Sequence, residues 1–141
     1  MLLLPKPGNP PRLHIVVDLH ERNKNTWKLS SPMPDMDGIL RHVARKKYQS
    51  IIDRQDAYEQ IRIIPEHVLR SAVTTPNGNM VSFVVQQGNC NVPATYQVLM
   101  NYLFSEYVGV FMDVYLDDII IYSDTLEEHV KHVRIILDVL K

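Results

Sequence analysis

The chain has 141 residues, 45% of them hydrophobic, which is enough for one buried core and argues against disorder. Its net charge of −1 hides a split: residues 1–54 hold ten Lys/Arg against five Asp/Glu, and residues 55–141 hold five against eleven. The basic half suits phosphate and the acidic half suits cations. Cys90 is the single cysteine, which excludes a disulfide framework and a cysteine-rich zinc module.

The opening Met1-Leu2-Leu3-Leu4-Pro5 is too short for a signal peptide and is broken by Pro5 and Pro7. No apolar run approaches the roughly 20 residues of a membrane span, so a soluble intracellular protein is expected. Residues up to Pro11 are rich in proline and glycine and read as loop or sheet edge. Residues 13–19 read as a strand. Pro32 and Pro34 break the chain, and Asp35 or Asp37 can cap a helix whose Ile39, Leu40, Val43 and Ala44 make an apolar face. Its other face carries Arg41, Arg45, Lys46 and Lys47, suited equally to solvent and to a nucleic-acid template.

Residues 48–52 read as a strand that ends at Asp53, and residues 61–64 as a short one. Residues 71–75 and 80–85 flank Pro76-Asn77-Gly78-Asn79, a strong hairpin signal. Pro93 sits where a helix begins, and Tyr96, Leu99, Met100 and Leu103 follow at helical spacing as core residues. Residues 111–122 place Asp117 and Asp118 between two apolar, β-branched and aromatic segments. Such segments read as strands, and the polar break reads as a tight hairpin with both aspartates at its tip. Carboxylates that close each disfavour the other's ionisation. A divalent cation removes that cost, and hard Mg²⁺ prefers carboxylate oxygen; an Asp-Asp pair also serves as a plain turn.

In the last segment Thr125 and Glu128 fit a capping box, and Leu126, Val130, Val133, Leu137 and Leu140 form one apolar stripe. Glu127 and Lys131 make an i,i+4 pair outside, with His129 and His132 expected at the surface. The helical pattern still runs at Lys141. Strands alternating with helices, with antiparallel hairpins among them, fit an α+β fold.

Five blocks then stand in a telling order: Val17-Asp18-Leu19 with Arg22-Asn23-Lys24 and Thr26; Asp53 with Ala57-Tyr58; Gln87-Gly88; Pro93-Ala94-Thr95-Tyr96-Gln97; and Tyr115-Leu116-Asp117-Asp118. In this order and spacing they resemble a reverse transcriptase. The run Tyr122-Ser123-Asp124-Thr125-Leu126-Glu127-Glu128-His129 is similar to that of long-terminal-repeat retrotransposons of the Ty3/gypsy class. The match extends from Lys6 to the end of the chain.

The resemblance implies a fingers–palm fold over residues 1–141, with an antiparallel palm sheet whose Asp-Asp hairpin packs on helices and with no thumb. Fingers would cover 1–27 and 61–91, palm 28–60 and 92–141. The implied activity is RNA-directed DNA polymerisation in a retrotransposon Pol polyprotein, by two-metal transfer from a deoxynucleoside triphosphate to a primer 3′-hydroxyl. Two Mg²⁺ ions, replaceable by Mn²⁺, would be held by the catalytic set Asp53, Asp117 and Asp118. Asp53 and Asp117 would bridge them and Asp118 would assist; Tyr115 and Leu116 would support the hairpin. Ala57, Tyr58, Gln87 and Gly88 would bind the nucleotide, with the Tyr58 ring excluding a 2′-hydroxyl. Asp56 and Asp113 match no ligand position.

Two positions depart from the family's pattern. His14 stands where the family has an arginine toward the triphosphate, so Arg12, two residues earlier on the same strand face, and Lys6 become the phosphate candidates. Arg54 follows Asp53 where relatives tend to have a small residue. Implied partners are a primed RNA or DNA template, deoxynucleoside triphosphates and the rest of Pol (thumb, RNase H and integrase), with no membrane. Implied locations are a cytoplasmic particle and the nucleus. Without thumb motifs, a truncated, inactive remnant that only binds nucleic acid, or a fragment with no function of its own, stays open.

Overall fold

The computed structural model describes residues 2–6, 12–31, 33–54 and 56–141, with backbone alone for 2–6 and 12–16. In chain order its elements are β1 (Leu2–Lys6), β2 (Arg12–Val16), α1 (His20–Lys24), α2 (Met36–Ala44), β3 (Tyr48–Asp53), a 3₁₀ turn (Ala57–Gln60), a 3₁₀ helix (Pro65–Ser71), β4 (Val73–Thr75), β5 (Gly78–Met80), α3 (Val92–Leu103), β6 (Met112–Tyr115), β7 (Asp118–Ser123) and α4 (Leu126–Val139). Contacts group them into two units. One joins Met1–Lys28 to Asp56–Val92, the other Leu29–Gln55 to Pro93–Lys141.

In the first unit β1 pairs antiparallel with β2, Lys6 opposite Arg12. The proline-rich start thus contains an edge strand; a two-stranded sheet leaves each strand a free edge, where Pro5 is tolerated. Residues 7–11, expected as loop, Pro32, and the side chains of Lys6, Arg12 and His14 lie outside the described residues. The strand expected over 13–19 stops at Val16. Asp18 turns the chain instead, its Oδ1 accepting from the His20 N–H at 3.0 Å, and α1 follows. That N–H and the His20 ring hold the Asp18 carboxyl below its ordinary pKa.

The strand expected over 61–64 is reduced to a bridge between Arg62 and Val84, because Pro65 starts a 3₁₀ helix. A hairpin forms here, but its strands are short: β5 ends at Met80 instead of running over 80–85, and the loop is Pro76-Asn77, with Thr75 facing Gly78, which opens β5 at φ +117°. Proline's fixed φ favours the first loop position, so the turn centres one residue ahead of the Asn-Gly pair.

The second unit is built on a three-stranded antiparallel sheet in the order β3-β7-β6. Met112, Val114, Ile119 and Ile121 are buried on it, as are Tyr96, Met100 and Phe104 from α3 and its following turn. Leu99 and Leu103, expected in this core, stay exposed. Asp35 caps α2, accepting from Asp37 N–H, and Ile39 is buried while Leu40 is exposed.

Helix α4 carries both halves of its capping box and the Glu127–Lys131 pair at 3.1 Å. Its buried face, however, overlaps only part of the apolar stripe: Val133 and Leu140 are half-buried. His129 and Ile136 are buried, whereas Leu126, Val130 and Leu137 are exposed. The histidines go inward because partners await them. His129 meets Ser50 Oγ at 2.8 Å through Nε2 and Ser123 Oγ at 3.0 Å through Nδ1. His132 Nδ1 lies 2.8 Å from Ser123 Oγ, and its ring stacks on Phe111 at 3.9 Å. A hydrogen-bonded imidazole can be buried cheaply, so apolarity alone does not mark the inner face. Among the described residues, no helix is long and apolar enough to cross a membrane.

Burial holds the His132 pKa below its ordinary value, with Glu128 and the Tyr122 carbonyl opposing and His129 adding to the depression. A lowered folded-state pKa favours the neutral fold, so this group's contribution is intact above the unfolded-state value of about 6.5 and is lost as pH falls below it. The urea midpoint of the wild type is therefore expected to drop between pH 7.5 and 5.5 by more than that of His132→Gln. Parallel pH profiles for the two proteins would contradict this.

Candidate active site

A closed register brings the carboxylates together. Asp53, the last residue of β3, is the cross-strand partner of Asp118, and Asp118 is in turn the partner of Tyr115 on β6. Directly opposed residues in an antiparallel pair share a face, with Cα atoms about 4.5–5.5 Å apart. Asp53 and Asp118 thus sit side by side on one sheet face, both exposed.

The hairpin differs from expectation in one detail. Its two-residue loop is Leu116-Asp117, and Asp118 is already the first residue of β7. Leu116 has φ +53° and Asp117 does not share the positive sign. That pattern belongs to the type II′ hairpin, where glycine is usual at the first loop position. A leucine there stores about 1–3 kcal/mol of strain, which surrounding structure must hold in place.

Gln97 does the holding. It is fully buried on α3; its Oε1 accepts from the Leu116 N–H at 3.0 Å, and its Nε2 donates to Val114 O at 3.2 Å and Asn101 Oδ1 at 3.0 Å. The sequence offered Gln97 as part of a motif block without a role. Its buried amide clasps the strained turn, and a glutamine beside the core position Tyr96 on a mostly apolar helix was the available signal.

Asp117 is half-buried, and its Oδ1 is shielded from solvent with no hydrogen-bond partner. An anionic oxygen in that state is costly unless a cation or donor meets it. Among the described residues, no group of three or more His, Cys, Asp or Glu side chains stands assembled as a metal site. The donor set still fits a hard cation: three carboxylates from neighbouring backbone positions, one holding an oxygen no protein group uses.

Arg54 adds a fixed positive charge nearby. Its Nη1 donates to Tyr96 Oη at 3.0 Å and approaches Met100 Sδ at 3.5 Å, with the guanidinium 5.8 Å from the Tyr96 ring centre. Burial raises the Tyr96 pKa against the pull of Arg54, and the Asp117 charge raises it further. Asp113 proves structural: it is buried and accepts from Tyr122 Oη at 3.1 Å, with His42 Nδ1 at 3.2 Å. Burial, then the Asp113 charge, push the Tyr122 phenol well above its usual range.

The candidate nucleotide residues with described side chains lie in the other unit. Ala57 is buried and Tyr58 half-buried in the 3₁₀ turn, which Asp56 opens at φ +51°. Gly88 has φ +91°, while an added Cβ would meet only Leu19 Cδ1 at 3.9 Å. Glycine is needed there for backbone conformation rather than for space. Asn23 pins this loop, donating to Gly88 O at 2.8 Å and accepting from Cys90 N–H at 3.0 Å. Gln87 beside it is exposed.

Residues 4–141 match the family described as reverse transcriptase (RNA-dependent DNA polymerase). The Pol polyproteins of the opus and gypsy transposons of Drosophila melanogaster are each 29% identical over 94% of this chain, which spans 13% of either. An RNA-directed DNA polymerase homolog of Oenothera berteroana is 32% identical over 88% of this chain and 89% of its own length. The foamy viral protease–reverse transcriptase, solved in complex with an RNA/DNA hybrid, superposes with a TM-score of 0.82 at 27% identity, over 98% of this chain and 18% of that one. The chain belongs to the reverse transcriptase family, with relatives of the Ty3/gypsy type, and has its fingers–palm fold.

Replacing Gln97 by methionine keeps the volume and removes the clasp. Urea unfolding should show a loss of about 1–3 kcal/mol, the usual cost of stranding buried polar groups. An unchanged midpoint would mean that the turn holds its strained leucine without Gln97.

Proposed function

We propose that this chain is the polymerising core of a retrotransposon Pol polyprotein, with residues 1–27 and 61–91 as fingers and 28–60 and 92–141 as palm. The reaction is RNA-directed extension of a primer 3′-hydroxyl by a deoxynucleoside triphosphate. One observation carries the reading: Asp53 stands opposite Asp118 in register, beside an Asp117 oxygen with no protein partner.

Asp53, Asp117 and Asp118 would hold two Mg²⁺ ions, and bound metal supplies activation of the attacking oxygen and charge neutralisation on the leaving one. The chain's own residues do the rest. The Gln97 clasp fixes the Asp117 backbone before any cation arrives. Tyr58 presents a ring that a ribose 2′-hydroxyl would strike, selecting deoxynucleotides. Gln87 offers an amide to sugar or backbone, and Gly88 lets the loop approach the base. Lys6 and Arg12 neutralise the triphosphate, compensating for His14. Template and primer are the macromolecular partners, the remainder of Pol supplies the thumb, and the work takes place in a cytoplasmic particle and the nucleus.

A second reading retains nucleic-acid binding without chemistry. It is favoured by Arg54, whose cation already stands in the palm unit near the Asp117 charge.

In a longer chain that includes a thumb, Asp117→Asn is expected to cut Mg²⁺-dependent primer extension on RNA by at least about 100-fold. Undiminished extension by the variant would show that other residues hold the metals, and no extension by the wild type would favour the second reading. In the same assay His14→Arg should lower the nucleotide KM about tenfold, by restoring a charge-assisted phosphate contact. An unchanged KM, together with a sharp rise in Arg12→Ala, would assign that contact to Arg12.

A further inference from the structure

The unit formed by residues 1–28 and 56–92 contains a cavity of about 550 Å³ that the polymerase reading does not use. None of Ala57, Tyr58, Gln87 or Gly88 is among its described lining residues. Its chemistry is one-sided. Arg22 and Arg70 line it, and no Asp or Glu does among the described residues. Neither arginine has a carboxylate partner among those residues; Arg22 is braced by one bond, Nη2 to Ala72 O at 3.3 Å.

Two further features narrow the occupant. Gln86 lines the cavity, and its Oε1 is buried with no hydrogen-bond partner, so the site lacks a donor as well as an anion. At the edge stands Trp27, 94% exposed, which also borders an adjoining cleft of about 390 Å³. An indole bared to that degree is anomalous for a packed residue and suits a stacking platform. Two guanidinium groups with no ion pair among the described residues, one orphaned acceptor and a bare aromatic face call for a ligand with a phosphate, a donor and a flat ring.

We propose that this cavity is a second nucleotide site, binding a nucleoside 5′-phosphate with its phosphate on Arg22 and Arg70, a donor of its base or sugar on Gln86 Oε1, and its base on Trp27. The chemistry is the same for a free nucleotide and for one nucleotide of a single strand. The site requires no metal, so it stands apart from the polymerase reading and can be tested with divalent cations chelated.

Trp27 is the sole tryptophan, so its fluorescence reports occupancy directly. The full chain in EDTA would be titrated with dAMP, with an unlabelled (dT)₈ strand and with inorganic phosphate. Base-bearing probes should quench the indole, and inorganic phosphate should reverse the quenching without causing it. Arg70→Gln should weaken the better probe about tenfold or more, Arg70→Lys should partly restore it, and Arg134→Gln, which removes a charge that does not line the cavity, should leave it unchanged. Quenching by (dT)₈ at far lower concentration than dAMP identifies a strand as the source; comparable quenching by dAMP identifies the free nucleotide. Arg70 is exposed and has no ion pair among the described residues, so its variants should keep the wild-type circular dichroism. Absence of quenching by both base-bearing probes, or equal loss in Arg70→Gln and Arg134→Gln, would overturn the proposal.

Discussion

The pairing of β3 with β7 is the constraint on which the palm unit depends. Side chains alternate faces along a strand, so a slip of one residue would send Asp53 and Asp118 to opposite sides of the sheet. The register is fixed by burial: Ile119 and Ile121 are fully buried on one face of β7, which leaves Asp118 on the other with Asp53 directly across from it. The hydrophobic core therefore positions the carboxylates. The same pairing seats Ser50 and Ser123 against the histidines of α4, so the helix that closes the unit is oriented by polar contacts which exist only in this register.

Strain and satisfaction meet at the tip of the β6–β7 hairpin. Leu116 takes a backbone conformation that suits glycine, and Gln97 accepts from its N–H while donating to Val114 O beside it. Beside that over-determined turn, Asp117 keeps an oxygen without a partner. A rigid backbone carrying an unused anionic oxygen is what prior organisation toward a cation requires, since reorganisation at the moment of binding is avoided.

The sequence disclosed most of the palm unit because its signals are local. Asp35 at the start of α2, the capping box of α4, the Asn-Gly hairpin and the paired aspartates each depend on residues within a few positions of one another. What stayed hidden depends on distant partners. The burial of His129 and His132 needs Ser50, Ser123 and Phe111, so the apolar stripe of α4 gave only part of its inner face. Gln97 belongs to a recognisable block, yet its role appears only when Leu116 and Val114 lie against it. Likewise Asn23 joins residues 65 and 67 positions away, and Arg54 finds Tyr96 42 positions along the chain. The 3₁₀ helix at Pro65–Ser71 has neither clean helical nor alternating periodicity, and a strand was expected where only a bridge forms.

The central claim is that Asp53, Asp117 and Asp118 together hold divalent cations, and Mn²⁺ makes it directly visible. Titrating the ¹⁵N-labelled chain with sub-stoichiometric Mn²⁺ should broaden the amide resonances of residues 53 and 116–118 first, with the effect abolished in Asp117→Asn. Selective broadening elsewhere, or undiminished broadening of these amides in the variant, would contradict the account.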